Sequence, residues 1–393
     1  MGPINLVVIQ STSFCNLNCD YCYLPDRQTK NQLSLDLIPT IMKTVLESPF
    51  IGGDFTILWH AGEPLALPVS FYDQATYLIR EAEKRYKTQP IQIFQSLQTN
   101  ATLINQAWCD CFLRNGIYVG VSLDGPAFLH DIHRQTYRGL GTHAATMRGI
   151  SLLQKNQIPF NVIAVLTQDS LDYPEEIFNF FLENGITEVG FNMEEAEGVH
   201  QNSTLNQPGI ESRYRAFIQR FWELTVQTKG SLRLREFETM CTLAYENFRL
   251  ESTDMNRAFV IVNFDYQGNF STFDPELLAV KIEPYGDLIL GNVLRDTLAS
   301  VCDGEKFRQI YQDINAGVEL CRQNCDYFGL CGGGAGSNKY WENGTLNSSE
   351  TKACRHRIQA IADVVLEGLE NSLGLDKVVR QKLTESGNIP QTP

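Results

Sequence analysis

Short apolar runs alternate with longer amphipathic stretches through the first half of the chain, and this alternation restricts the fold more than any other feature. The runs Ile4–Gln10, Phe55–Trp59, Ile91–Leu97, Ile117–Leu123, Phe160–Leu166 and Thr187–Asn192 read as strands. Between them Ser34–Leu46, Phe71–Arg85, Asn105–Arg114, Thr142–Gln154 and Tyr173–Glu183 carry helical spacing. A β-α order repeated through six strands predicts an α/β chain with a parallel sheet and helices outside it. Six units rather than eight predict a partial, TIM-like (β/α)6 barrel, whose working residues lie at the C-terminal ends of its strands.

Chemically rich segments fall at those ends. Cys15, Cys19 and Cys22 follow the first strand in C-x3-C-x2-C spacing, His60-Ala61-Gly62-Glu63-Pro64-Leu65 follows the second, Gln98-Thr99-Asn100 the third, and Ser122-Leu123-Asp124-Gly125-Pro126 closes the fourth. Glu194-Glu195-Ala196-Glu197-Gly198 follows the sixth. A structural zinc site wants four closed ligands, whereas this loop offers three thiols and no nearby His. Three close thiolates can instead hold three corners of a four-iron cluster and leave the fourth iron open.

Composition narrows the rest. The net charge of −14 over 393 residues, with no Lys/Arg cluster, argues against nucleic acid as a partner. No apolar run approaches the roughly 20 residues that span a bilayer, so no membrane partner is expected and the cytoplasm is the expected compartment. There, eleven cysteines in unequal clusters read as metal ligands and buried thiols rather than a disulfide framework.

The chain divides into a barrel at 1–204, a helical bridge at 205–255, a loop-rich cysteine segment at 256–365, and a C-terminal helix and tail at 366–393. In the third unit a helix is expected near Thr297–Asp313, and Cys321, Cys325, Cys331 and Cys354 form a second group. Four thiolates close the shell of a cluster or of a zinc ion. Cys109, Cys111 and Cys241 read as buried thiols, with Cys302 unassigned. His130, His133 and His143 read as surface or helix-cap residues. Candidate acid–base carboxylates are Asp124, Glu194, Glu195, Asp265 and Asp274.

The first cysteine loop, with Tyr21 before Cys22, resembles that of the radical S-adenosylmethionine superfamily. The resemblance implies an open cluster that chelates S-adenosyl-L-methionine and cleaves it to a 5′-deoxyadenosyl radical. Gly62, Glu63 and Pro64 resemble the glycine-rich turn that meets the cofactor's ammonium group, with Ala61 in place of a first Gly. Tyr21, Asn100, Ser122 and Arg134 are the other expected cofactor contacts. The second cysteine group resembles a SPASM-type auxiliary domain, with Ala335 and Phe273 where further ligands would stand, so one auxiliary cluster is implied. That makes two 4Fe–4S clusters in all.

The strings Trp59–Leu65, Asn192–His200 and Cys331–Lys339 resemble the cyclophane-forming maturases of glycine-rich repeat peptides known from cyanobacteria. What this implies is a carbon–carbon crosslink on a precursor peptide, between an aromatic ring and the β-carbon of a residue two places on, with a donor such as ferredoxin or flavodoxin. No separate leader-binding domain is expected before the first strand. The barrel also resembles anaerobic sulfatase-maturing enzymes, which oxidise Ser or Cys to formylglycine. A reading from another class is a non-catalytic, metal-stapled peptide-binding or electron-transfer protein.

Overall fold

The computed structural model describes residues 1–278 and 281–373. The strands of its first half are β1 (Leu6–Ile9), β2 (Phe55–Trp59), β3 (Ile93–Thr99), β4 (Ile117–Ser122), β5 (Phe160–Leu166) and β6 (Glu188–Met193). They are paired in parallel in that order, with registers such as Leu6 opposite Thr56 and Ile57 opposite Gln95. Helices α1 (Leu37–Leu46), α2 (Val69–Tyr86), α3 (Gln106–Asn115), α4 (Ala127–His133), α5 (His143–Lys155) and α6 (Pro174–Glu183) return the chain between strands.

Each helix buries one stripe against the sheet. In α2 the buried side chains are Phe71, Tyr72, Ala75, Thr76, Ile79 and Ala82, a spacing of three to four along one face. Asn105 caps α3 by accepting from the Trp108 amide at 3.2 Å, and left-handed Gly116 stops it. The apolar alternation therefore predicts both the strands and the helices that cover them, with one exception. Helix α4 lies in a stretch where no helix is expected, because Gly125-Pro126 precedes it and two histidines fill its core-facing side. Leu129, His130 and His133 are all buried there, so the expectation of surface or cap histidines is corrected for two of the three.

Helices α7 (Ile210–Gln227) and α8 (Arg235–Tyr245) form the bridge, with the two-residue strand β7 (Arg233–Leu234) between them. The hairpin β8 (Ile261–Phe264) and β9 (Asn269–Thr272) then rejoins the main sheet, because β8 pairs in parallel with β1. Short strands β10 (Lys281–Ile282) and β11 (Gly286–Asp287) make a separate ribbon, and β12 (Gly291–Asn292) adds to β9. The main sheet runs β12-β9-β8-β1-β2-β3-β4-β5-β6-β7 and stays open, with β12 and β7 at its edges among the described residues.

The cysteine segment is more helical than its glycines suggest. Helix α9 spans Glu305–Asn324, well past the expected end at Asp313, followed by α10 (Phe328–Cys331), α11 (Gly336–Asn343), α12 (Lys352–Cys354) and, after a π-turn at Arg355–Ala360, α13 (Ile361–Leu373). Gly317 stays inside α9 because the chain returns against it: a Cβ there would sit 2.5 Å from the Leu346 carbonyl oxygen. The expected tail at 374–393 lies outside the described residues.

An aromatic stack joins the two halves. The Phe50 and Phe259 rings lie face to face with centroids 4.3 Å apart, and Phe307 and Tyr311 of α9 continue the stack at 5.5 and 5.6 Å steps. Phe259 is fully buried. Phe259→Ala is expected to cost about 3–5 kcal/mol in denaturant unfolding. A loss under about 1 kcal/mol would show that the stack is not what holds the seam.

Candidate functional site

The loop after β1 places Cys15, Cys19 and Cys22 on one cavity of about 470 Å³, together with Tyr21, Gly62, Glu63, Asn100, Ser122 and Arg134. Backbone contacts hold the loop: the Cys15 amide donates to the Arg27 carbonyl at 2.8 Å, and the Asn18 amide to that of Gln135 at 2.7 Å. Arg27 in turn donates to the Cys19 carbonyl at 2.9 Å. Burial pushes the Cys15 thiol up to about 12 and that of Cys19 up to about 11. Ionising them therefore calls for a cation, which an iron–sulfur core supplies.

The turn after β2 presses on this loop. Gly62 has φ +64, and a Cβ on it would lie 2.5 Å from the Thr12 carbonyl oxygen and 2.8 Å from that of Phe14. Ala61 holds a left-handed φ of +68, a conformation that glycine adopts without the Cβ penalty. Glu63 is buried, and its carboxylate accepts from the Leu65 amide at 3.0 Å, the Thr99 hydroxyl at 2.6 Å and the Asn100 amide at 2.9 Å. Its own amide donates to the Phe14 carbonyl at 2.7 Å. Pro64 is not brought to the cavity; it is buried at the start of a 3-10 turn, with its carbonyl accepting from the Tyr72 hydroxyl at 2.9 Å.

Beside β4, Asp124 is closed to proton traffic. Its carboxylate accepts from Arg134 Nε at 2.8 Å and Nη2 at 3.1 Å, from the Tyr21 hydroxyl at 2.5 Å and from the Val165 amide at 2.9 Å. Burial raises its pKa, but the Arg134 charge and these hydrogen bonds outweigh that and hold it below the usual carboxylate range. Arg134 is likewise engaged by Asp124, and its guanidinium lies 5.4 Å from the centre of the Tyr21 ring. Asn100 donates to Asn16 Oδ1 at 2.9 Å, and Ser122 accepts from Gln98 Nε2 at 2.9 Å.

His130 behind them is neutral by design of its partners. Its Nδ1 accepts from the Asp124 amide at 3.4 Å, so Nε2 carries the proton toward Thr142 Oγ1 at 3.1 Å, whose hydroxyl donates to the Arg134 carbonyl. Burial pushes the imidazole down to about 4.

The second group, Cys321, Cys325, Cys331 and Cys354, lines its own cavity of about 400 Å³. Three of the four close helices: Cys325 caps α9, its amide donating to the Cys321 carbonyl in the last turn, and Cys331 and Cys354 end α10 and α12. Among the described residues no three His, Cys, Asp or Glu side chains close on a point that would seat one metal ion. Four thiols on one cavity are a soft donor set that fits an iron–sulfur cluster or a zinc ion, and the three of the first loop leave one cluster position open. Cys109 and Cys111 are buried in α3, while Cys241 and Cys302 are half-buried, apart from both cavities.

The two cavities share a wall made of Met255, Ala335, Asn338 and Arg357. Arg357 stands on the π-turn three residues after Cys354 and pairs with Glu195 at 3.2 Å. Glu194 lines the first cavity but accepts from His200 at 3.0 Å and from the amide and hydroxyl of Thr204. Asp265 shapes the β8–β9 turn, accepting from the amides of Gln267 and Asn269. Asp274 differs: it is fully buried, Oδ2 accepts from the Ser337 amide at 2.8 Å, and Oδ1 has no partner. Burial, then the charge of Glu276, pushes it up to about 7. Sequence reasoning missed Glu276, Asn338 and Arg357 as cavity residues, and left Glu197 without a role. Only the nearness of Arg357 to Cys354 could have pointed to it.

An open parallel sheet with a three-cysteine loop after its first strand defines a radical S-adenosylmethionine enzyme. The model of the Radical SAM superfamily matches residues 9–181, and the chain belongs to that superfamily, whose cofactors are S-adenosyl-L-methionine and 4Fe–4S clusters. An uncharacterised protein of Synechocystis sp. is 59% identical over 374 residues, covering 95% of this chain and 94% of its own. A serine-type anaerobic sulfatase-maturating enzyme of Klebsiella aerogenes is 34% identical over 198 residues, and the match spans only about half of each chain, 50% and 48%. Among solved structures, native anSMEcpe with bound AdoMet and Cp18Cys peptide superposes with a TM-score of 0.75 at 20% identity, over 94% of this chain and 99% of that one. Streptococcus suis SuiB bound to precursor peptide SuiA gives 0.61 at 16%, over 90% and 76%. These likenesses are of fold. No helix among the described residues is long and apolar enough to cross a membrane.

Gly62→Ala is expected to displace the cysteine loop, lowering iron uptake on reconstitution and stability by about 1–3 kcal/mol. Wild-type iron content and melting temperature in this variant would refute the contact. His130 sets a pH dependence of known sign: its folded value lies below that of the unfolded chain, so the unfolded chain takes up the proton first as pH falls. Stability on the order of 3 kcal/mol is present above about pH 6.5 and is lost toward pH 4. Urea unfolding at about pH 7 and about pH 5 should show this loss in wild type and less of it in His130→Gln.

Proposed function

We propose that the chain modifies a ribosomally made precursor peptide, forming a cyclophane crosslink between an aromatic ring carbon and the β-carbon of a residue two positions later. The observation that carries this reading is the common wall: residues of the barrel cavity, where a peptide segment would lie, also line the four-cysteine cavity. Cys15, Cys19 and Cys22 would hold the open cluster and Cys321, Cys325, Cys331 and Cys354 the auxiliary one. When bound, the open cluster and S-adenosyl-L-methionine supply the 5′-deoxyadenosyl radical that abstracts hydrogen.

The protein's own part is to orient, enclose and take a proton. Tyr21, Gly62, Glu63, Asn100, Ser122 and Arg134 wall the cofactor's place, Arg134 and Glu63 being fixed by the bonds described above. Each crosslink removes two hydrogens from the peptide. One leaves as a hydrogen atom, the other as a proton and an electron. Asp274 is fully buried and lines neither cavity, whereas Glu197 and Glu276 line the barrel cavity with carboxyls that burial raises above the usual range, and these suit the proton. Asp124 and Glu194 have both oxygens engaged, and Glu195 is paired with Arg357. Reduction of the open cluster calls for a donor of the ferredoxin or flavodoxin class.

The similarity to sulfatase-maturating enzymes favours a second reading, oxidation of a substrate Ser or Cys to an aldehyde. Anaerobic reconstitution with a peptide encoded beside the gene separates the two. Formation of 5′-deoxyadenosine with a peptide lighter by two hydrogens per crosslink, and ring-to-β-carbon fragments in mass spectrometry, is the expected outcome. An aldehyde that traps hydrazine would transfer the assignment to the second reading, and no 5′-deoxyadenosine at all would sink both.

A further inference from the structure

Lys339 is an unusual residue for its place. It lies on α11, is 3% exposed, and lines the cavity of the four cysteines. Buried lysines are rare unless a negative group faces them. Burial opposes its charge, and the groups that face the ammonium and favour it are the sulfurs of Cys321, then Cys331 and Cys354. Among the described residues no carboxylate is within ion-pair distance of Lys339, although surface lysines such as Lys84, Lys87 and Lys306 have such partners.

The backbone makes room for this placement. Gly317 lies one turn before Cys321 on α9, and a Cβ on it would come 3.1 Å from Lys339 Nζ. A side chain at that position would push the ammonium away from the thiols. The neighbouring Asn338 faces the common wall, so α11 presents a polar residue to the barrel cavity and a cation to the auxiliary one.

A cluster held by four thiolates is anionic, since the thiolates outweigh the positive charge of the iron–sulfide core, and it becomes more so on taking an electron. A cation fixed in the cavity of the ligand sulfurs stabilises the more negative state more than the less negative one. Charge and hydrogen bonds at ligand sulfurs are among the factors that set cluster potentials. We propose that Lys339 is a positioning residue for the auxiliary site, whose ammonium, directed at Cys321, raises the reduction potential of the cluster and so makes it the electron acceptor for substrate oxidation. This rests on the four cysteines holding an iron–sulfur cluster, as argued above. In redox terms the cluster gains one electron, and the substrate that has already lost a hydrogen atom gives up that electron together with a proton.

The test uses the full chain with Cys15→Ala, Cys19→Ala and Cys22→Ala, so that only the second site can load. After anaerobic reconstitution, iron and sulfide are counted, and a potentiometric titration is followed by electron paramagnetic resonance. The parent, Lys339→Met and Lys339→Arg are expected to carry the same iron and sulfide. The Lys339→Met midpoint should fall by at least the equivalent of a tenfold weaker electron acceptance, about 59 mV for one electron, and Lys339→Arg should recover most of it. Equal midpoints in the parent and Lys339→Met would overturn the role of Lys339. A parent that takes up zinc, or no iron with sulfide, would overturn the cluster assignment instead. If Lys339→Met holds no cluster, Lys339→Gln carries the comparison. Loss of the cluster in both, with retention in Lys339→Arg, would make the ammonium a structural requirement and overturn the tuning role.

Discussion

The buried carboxylate of Glu63 is the knot on which the site depends. A parallel sheet sets strand ends side by side but leaves the loops beyond them free. Glu63 removes that freedom for three of them: its oxygens take the Thr99 hydroxyl and Asn100 amide at the end of β3 and the Leu65 amide of its own turn, while its amide reaches Phe14 in the cysteine loop. An acid buried without such donors would be strongly destabilising, so the donors and the acid require one another. Gly62 beside it sets how closely the turn and the cysteine loop can approach.

Around this knot the charges fall into two kinds. Asp124 with Arg134, and Glu194 with His200 and Thr204, are closed sets in which every oxygen is used, and they behave as parts of the wall. Glu197 and Glu276 line the barrel cavity with less support, Glu197 meeting Asn338 only at 3.3 Å. Burial, with the charge of Glu195 beside them, raises both. The barrel cavity thus has a fixed end by the first cysteines and a protonatable end by the second group.

The legible part of this arrangement is what repeats or what has special spacing. All six strands were recoverable to within two residues of each end because apolar side chains recur there; Ile91–Leu97 was shifted by two residues at both ends because β3 keeps hydrogen-bonding through Gln98 and Thr99. The cysteines could be grouped from spacing alone, and the structure brings each group onto one cavity. Helix α4 was not legible, since its inward face carries His130 and His133, whose burial depends on Asp124, Thr142 and Thr167 from elsewhere in the chain. The length of α9 was hidden for a similar reason: Gly317 reads as a break until Leu346 is known to pack on it. That Pro64 stays off the cavity lining and that both Asp124 oxygens are engaged was not legible, because proximity to a motif says nothing about whether a side chain's oxygens, or a residue's carbonyl, are already taken.

The pairing of β8 with β1 bears on how the protein is made. Strand β1 leaves the ribosome long before one of its two neighbours, Ile261–Phe264, which follows it in the sequence only after β2 to β7 and the helices between them. Until then the nascent chain carries Leu6-Val7-Val8-Ile9 with one row of backbone groups unmatched, directly ahead of three reactive thiols. Unpaired strand edges in partly made chains invite association with other chains. The last strands to arrive therefore also act as the cover for the first, and the cysteine loop gains its final support only when nearly the whole main sheet is in place.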